Sequence, residues 1–201
     1  MKKTAYDKKN NNKNGGFSLV ELIVVIAIMA VLTGIASMSL ASVMGVSVKQ
    51  CARDIQSAAN QTRVSTLGKD EVIMTITKGP KDPKGNKAKS SQAYYCTIVS
   101  TIVTKDGSVK KTKNEEKIGK SNLDITYVLS DSKGNKTSDI TLDDTHSLTI
   151  KFNRGTGAMA PCMKGDGSSG GDYYCMQIKV KKNSTEKIIS FYPETGKVSL
   201  N

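Results

Sequence analysis

The sequence predicts an α+β protein, one long N-terminal helix followed by a head built on an antiparallel β-sheet. Three observations carry that expectation. From Phe17 to Val48 the chain is almost uncharged, and its one acid is Glu21. Apolar residues at helical spacing then continue toward Leu67. Beyond Gly68 the pattern changes to alternating, β-branched segments separated by glycine turns, the order of elements expected when a sheet packs on a preceding helix.

Residues 1–16 form a short basic leader with five lysines and one aspartate, so the net charge of +12 leaves about +8 on the remainder. Lys2, Lys3, Lys8, Lys9 and Lys13 hold that end in the cytoplasm and place the helix's C-terminal side outside. Residues 17–46 follow as a transmembrane and assembly helix. Every residue from Leu22 to Leu32 is apolar, and the segment exceeds the ~20 residues needed to cross a bilayer. A carboxylate near the start of such a helix costs about 2.5–3.5 kcal/mol in hydrocarbon. An acid at position 21 therefore implies a partner. An ordinary secretory signal, with Ala36–Ala41 supplying a small-residue cleavage site, and a plain single-pass anchor are the simpler readings. Neither calls for Glu21 or for the Gly16-Phe17 junction.

Residues 47–68 read as the half of the helix embedded in the head. Val48, Cys51 or Ala52, Ile55, Ala58 or Ala59, Thr62 and Leu67 recur near every 3.6 residues, and Lys49, Arg53, Asp54, Gln56, Asn60 and Arg63 fall mostly on other faces. A single helix over 17–67 would extend roughly 75 Å. Gly68 is its expected stop. Residues 69–201 form the head. Strands are expected over 72–78, 93–104, 109–118, 123–129, 139–142, 147–153, 173–182, 187–192 and 197–200. Asp106-Gly107, Gly134-Asn135, Gly155–Gly157 and Thr195-Gly196 supply turns between them.

The four cysteines, Cys51, Cys96, Cys162 and Cys175, all lie on the exported side. An even count there argues for disulfides, with three possible connectivities. The preferred pairing joins Cys162 to Cys175 around a Gly/Ser-rich loop and Cys51 to Cys96 between helix and sheet. Cys51 as a small buried hydrophobe on a helix face is the alternative.

The stretch Gly16-Phe17-Ser18-Leu19-Val20-Glu21-Leu22-Ile23-Val24-Val25-Ile26 resembles the class III leader and N-terminal helix of type IV prepilins and pseudopilins. That resemblance implies cleavage after Gly16 by a prepilin peptidase, N-methylation of Phe17, and pairing of Glu21 with the N-terminal amine of a neighbouring subunit. It also implies the type IV pilin fold, an assembly platform protein as partner, and passage from the cell membrane into an extracellular or periplasmic filament. Ser18 stands where the family often has threonine. Small residues Ala27, Ala30, Gly34 and Ala36 would permit close helix approach. The run Ala52–Ala58, Phe152-Asn153-Arg154-Gly155 and Ser190–Val198 resemble the H-type minor pseudopilins of type II secretion systems and their pilus counterparts.

Catalytic patterns are missing from the sequence. There is one histidine, His146, and no nucleophile elbow, Walker loop or zinc-protease helix, so an enzyme is not expected. Cofactors are not expected either, with calcium kept as a possibility at Asp131, Asp139, Asp143 and Asp144, or at Asp166 and Asp172. Polar turns account for the same residues. Between Lys69 and Lys120 twelve lysines face six acids. The loop lysines Lys78, Lys81, Lys84, Lys87 and Lys89 are the candidate contacts for DNA in a competence system. Lysines guarding a sheet edge are the simpler account. A tip adhesin is a third alternative, disfavoured by the low aromatic content.

Overall fold

The computed structural model describes residues 18–79 and 93–201, the side chains of 33–46 excepted. The chain divides into two compact units, Met1–Ala41 and Ser42–Asn201. Helix α1 is assigned to Leu19–Thr66 and begins in the first unit and ends in the second. The second unit adds ten strands in two antiparallel sheets, making the fold α+β.

Within the second unit, α1 buries Val48, Cys51, Ala52, Ile55, Ala59, Thr62 and Thr66. These positions step by three or four residues, so they form one stripe along the helix. The stripe ends on Thr66, while Leu67 is exposed. Thr62 and Thr66 enter the core because each hydroxyl donates to the carbonyl one turn back, on Ala58 at 2.7 Å and Thr62 at 2.8 Å. The helix closes with tightened turns from Leu67 N–H to Val64 and from Gly68 N–H to Ser65.

The first sheet runs β3 (Val109–Gly119), β2 (Ala93–Val103), β1 (Glu71–Gly79), β6 (Leu148–Phe152), β7 (Met159–Ala160). The second runs β10 (Lys197–Leu200), β9 (Thr185–Tyr192), β8 (Tyr174–Lys182), β4 (Asp124–Ser130), β5 (Ile140–Thr141). Strand β1 buries Val72, Met74 and Ile76 and turns the residues between them outward, as alternation requires. One hydrophobic cluster draws on α1, on β1 and β6, and on β4, β8 and β9, with Tyr94, Tyr127, Phe152 and Phe191 as its largest members. Sequence patterning anticipated nine of these strands within a few residues. It called for one sheet, and the chain forms two. Strand β7 went unseen because two residues hold no period.

The end of α1 is tied to the head by a close backbone approach. Gly157 and Gly196 both have positive φ, at 68° and 64°. A Cβ on Gly196 would stand 1.8 Å from the Gly157 carbonyl oxygen. That oxygen accepts a hydrogen bond from Arg63 Nε at 3.2 Å, in the last turns of the helix. The Gly196 N–H donates to the Tyr192 carbonyl at 2.7 Å, and Met159 N–H to that of Pro193 at 2.8 Å, so the loop after β6 and the turn after β9 lock together. Gly196→Ala combines a backbone clash with left-handed strain, and should destabilise the head by about 2–4 kcal/mol. A drop in Tm of several degrees or more in the purified chain, with Thr195→Ala close to wild type, checks this.

Candidate assembly site

The functional residues read from sequence concentrate at the start of α1. Glu21 sits in the helix's first turn, where the N-terminal end of the helix dipole favours a negative charge. Leu22 N–H donates to the Ser18 carbonyl at 3.1 Å, so the helical ladder is already running there. The Gly16-Phe17 junction lies outside the described residues. Glu21 has no ion-pair partner among the described residues.

What surrounds Glu21 is unusual for a single chain. Every large apolar side chain from Leu19 to Leu32 is about half or more open, from Leu19 at 75 % to Val24 and Val25 at 49 %. A helix apolar on all faces is stable only when buried, and an uncovered apolar surface of this extent marks an interaction site. Among the described residues no helix is long and apolar enough to cross a membrane. The expected span over 17–46 includes Phe17 and the side chains of 33–46, which lie outside the described residues.

The expected disulfides, Cys51–Cys96 and Cys162–Cys175, are not formed in the structure, which holds all four cysteines as free thiols. Burial shifts all four thiols. It pushes the Cys51 and Cys96 thiols up to about 12 and Cys162 up to about 11, and it raises Cys175 further still. Thiolate, the reactive form, is thereby suppressed. Burial is the main cause at Cys175, and the charge of Cys162 adds to it. Cys51 and Cys96 both belong to the core cluster. Beside Cys96 a small recess of about 110 Å³ is lined by Asp54, Ser57, Gln61, Asn114 and Glu116. Burial raises the Asp54 carboxyl, the Gln50 amide at 2.7 Å opposes that rise, and the charge of Glu116 adds to it. The helical pattern puts Asp54 mostly off the buried stripe, and the structure holds it partly buried; its phase three residues after Cys51 is the signal for that.

Four of the six acids weighed for calcium, Asp131, Asp139, Asp143 and Asp166, are engaged by other protein groups. Asp131 accepts from the Asn135 side chain at 2.8 Å and from the Lys133 N–H at 2.9 Å. Asp143 accepts from the Thr145 hydroxyl and from the His146 N–H, at 2.7 and 2.8 Å. Asp139 pairs with Lys179 at 2.7 Å, and Asp166 accepts from the Ser168 N–H at 2.8 Å. No group of three or more metal-ligating side chains occurs among the described residues. Of the loop lysines only Lys78 is described, its ammonium 5.3 Å from the centre of the Tyr94 ring. Lys81, Lys84, Lys87 and Lys89 lie outside the described residues.

These turns set an acid limit on the head. Thr104 and Ser108 hold Asp106 down at about 2, the Asn135 amide lowers Asp131, the Thr145 hydroxyl lowers Asp143, and the Ser168 N–H lowers Asp166. Carboxylates depressed by folding stabilise above the unfolded pKa of about 4, and that contribution is lost as pH falls toward 2. Asp54, shifted the other way, gains as pH falls. Thermal stability should fall from pH 5 to pH 2.5, read as a declining Tm, and Asp143→Asn should flatten that decline.

Residues 11–37 match the family model described as the prokaryotic N-terminal methylation motif. No curated protein and no solved structure matches the chain. The match covers Gly16, Phe17 and Glu21, the residues on which the likeness to type IV prepilins was drawn, and it supports their assignment to the type IV pilin and pseudopilin family.

Proposed function

We propose that the chain is the precursor of a structural subunit, processed between Gly16 and Phe17, methylated at Phe17 and assembled through its N-terminal helix into a surface filament. One observation carries the reading: a methylation motif leads directly into a helical stretch, Leu19–Leu32, whose large apolar side chains all stand open and whose only acid is Glu21. Two coverings suit such a surface in turn. Lipid covers it in the precursor, and sister helices cover it in the filament. Glu21 ranks the two. A carboxylate pays heavily for lipid, whereas in a bundle the amine freed by cleavage neutralises it, each charge lowering the other's cost. The partners implied are other subunits, the prepilin peptidase and an assembly platform in the membrane.

A minor subunit of the H-type is the finer reading. It rests on the Ser190–Val198 segment, whose Gly196 makes the backbone approach to Gly157. Whether the filament is a pilus or a secretion pseudopilus follows from the neighbouring genes for peptidase, ATPase and secretin. The DNA-uptake reading has less support. Edge strand β3 does expose Lys110, Lys111 and Lys113, but Glu115 and Glu116 share the strand and Lys113 pairs with Glu115. That mixture suits the shielding of an edge.

Export also bears on the cysteines. Oxidation of Cys162 with Cys175 would close the Gly/Ser-rich loop and stabilise it by about 3 kcal/mol in chain-entropy terms. Cys51 with Cys96 is the complementary pair. Intact mass before and after alkylation of native material should then show no free thiols; four alkylated cysteines would remove the pairing.

N-terminal sequencing of native filaments should begin at methylated Phe17, and any other start overturns the reading. Glu21→Ala should cut incorporation into filaments by about tenfold or more, given the cost of the unmatched amine in an apolar bundle. Membrane levels of the processed chain should stay unchanged. Normal incorporation of this variant would defeat the role given to Glu21.

A further inference from the structure

The head carries an open groove of about 830 Å³ at the end of the second sheet where β4 and β9 finish and β8 and β10 begin. Its walls include Tyr174, Met176, Tyr192 and Pro193, and Tyr192 is 48 % exposed. Asp131 and Glu194 stand on its rim against the single lysine Lys197. A tyrosine-lined groove with acids at its edge is the chemistry that takes an extended, proline-bearing, basic segment. The rings stack on the prolines, and the acids meet the flanking cations.

This chain contains such a segment. Pro80-Lys81-Asp82-Pro83-Lys84 holds prolines three residues apart, and Lys87 and Lys89 follow. The sheet register fixes where the segment is rooted. Gly79 and Ala93 pair across β1 and β2, so both ends of the connection leave one end of the first sheet. The groove lies at the other end. Met159 pairs with Phe152 and bonds to Pro193, and strand β6 runs antiparallel to β1, which places Phe152 beside the start of β1 near Val72. Val72 and Gly79 are roughly 23 Å apart along the strand. A connection anchored at both ends reaches about 24 Å at full stretch, with no length left to lie in the groove of its own head.

We propose that the groove of one subunit receives the Pro80–Lys89 segment of a second copy. Root and receptor at opposite ends of the head make the contact heterologous, the type that propagates into an open filament and does not close on itself as a dimer. This rests on the assembly reading, and it adds a head-to-head register to the packing of the helices.

Two arms test it. In the first, a fluorescent peptide spanning residues 79–89 is titrated onto the full chain in detergent micelles, where no filament is needed. Binding is expected to weaken in 0.5 M salt and to fall about tenfold in Tyr192→Ala. Failure of the wild-type chain to bind, indifference to Tyr192→Ala, or capture of a chito-oligosaccharide in place of the peptide overturns the proposal and leaves the role of Glu21 standing. In the second, filaments assembled from mixed light and heavy-nitrogen subunits are cross-linked with a carbodiimide. Mixed-isotope peptides joining Glu194 or Asp131 to Lys81, Lys84 or Lys87 are expected. Their absence, or links confined to one isotope, overturns the contact.

Discussion

An apolar helix that its own chain does not cover must be covered by something else, and the rest of this protein follows from that constraint. From Leu19 to Leu32 the side chains offer only hydrocarbon and one carboxylate. Water excludes such a surface, while lipid and a bundle of like helices both accept it. The difference between those two environments is small for leucine and valine and large for a glutamate. A single acid therefore converts an indifferent choice into a directed one, provided a cation waits in the bundle.

The head solves a separate problem. Its core closes through one cluster drawn from the helix stripe and both sheets, and it contains no buried side-chain polar atom without a hydrogen-bond partner among the described residues. Closure depends on small residues at the junction of three segments. Arg63 on the helix, Gly157 after β6 and Gly196 after β9 come together because neither glycine carries a Cβ. Lys151 with Glu71 and Arg154 with Asp70 add ion pairs on the same side of the first sheet. These are partly exposed pairs and contribute little each. The backbone approach does more to fix how the late strands meet the helix.

Where the surface is polar, the acids serve the turns they stand in. Asp106, Asp131, Asp143 and Asp166 each accept hydrogen bonds from the next few residues, which organises a tight loop and lowers the carboxyl at the same time. The groove lined by Tyr174 and Tyr192 is aromatic and has acids on its rim, on a basic protein. That contrast of charge marks it as a receptor for a cation-bearing segment.

Much of this was legible in the residues. The stretch around Gly16, Phe17 and Glu21 is a linear motif, matched over residues 11–37, and a linear motif is read without any folding. Strand alternation and glycine turns predicted nine of the ten strands, since period and φ preference are local properties. The helix stripe was readable to Thr62, but its last member is Thr66 and not Leu67, because hydroxyls bonded one turn back can be buried. What only the tertiary structure decided depends on residues far apart in the chain. The split of one expected sheet into two, the Gly157–Gly196 approach, the state and surroundings of the four cysteines and the tyrosine groove all arise where distant strands meet. Such meetings are set by packing and register across the whole core, and no local spacing encodes them.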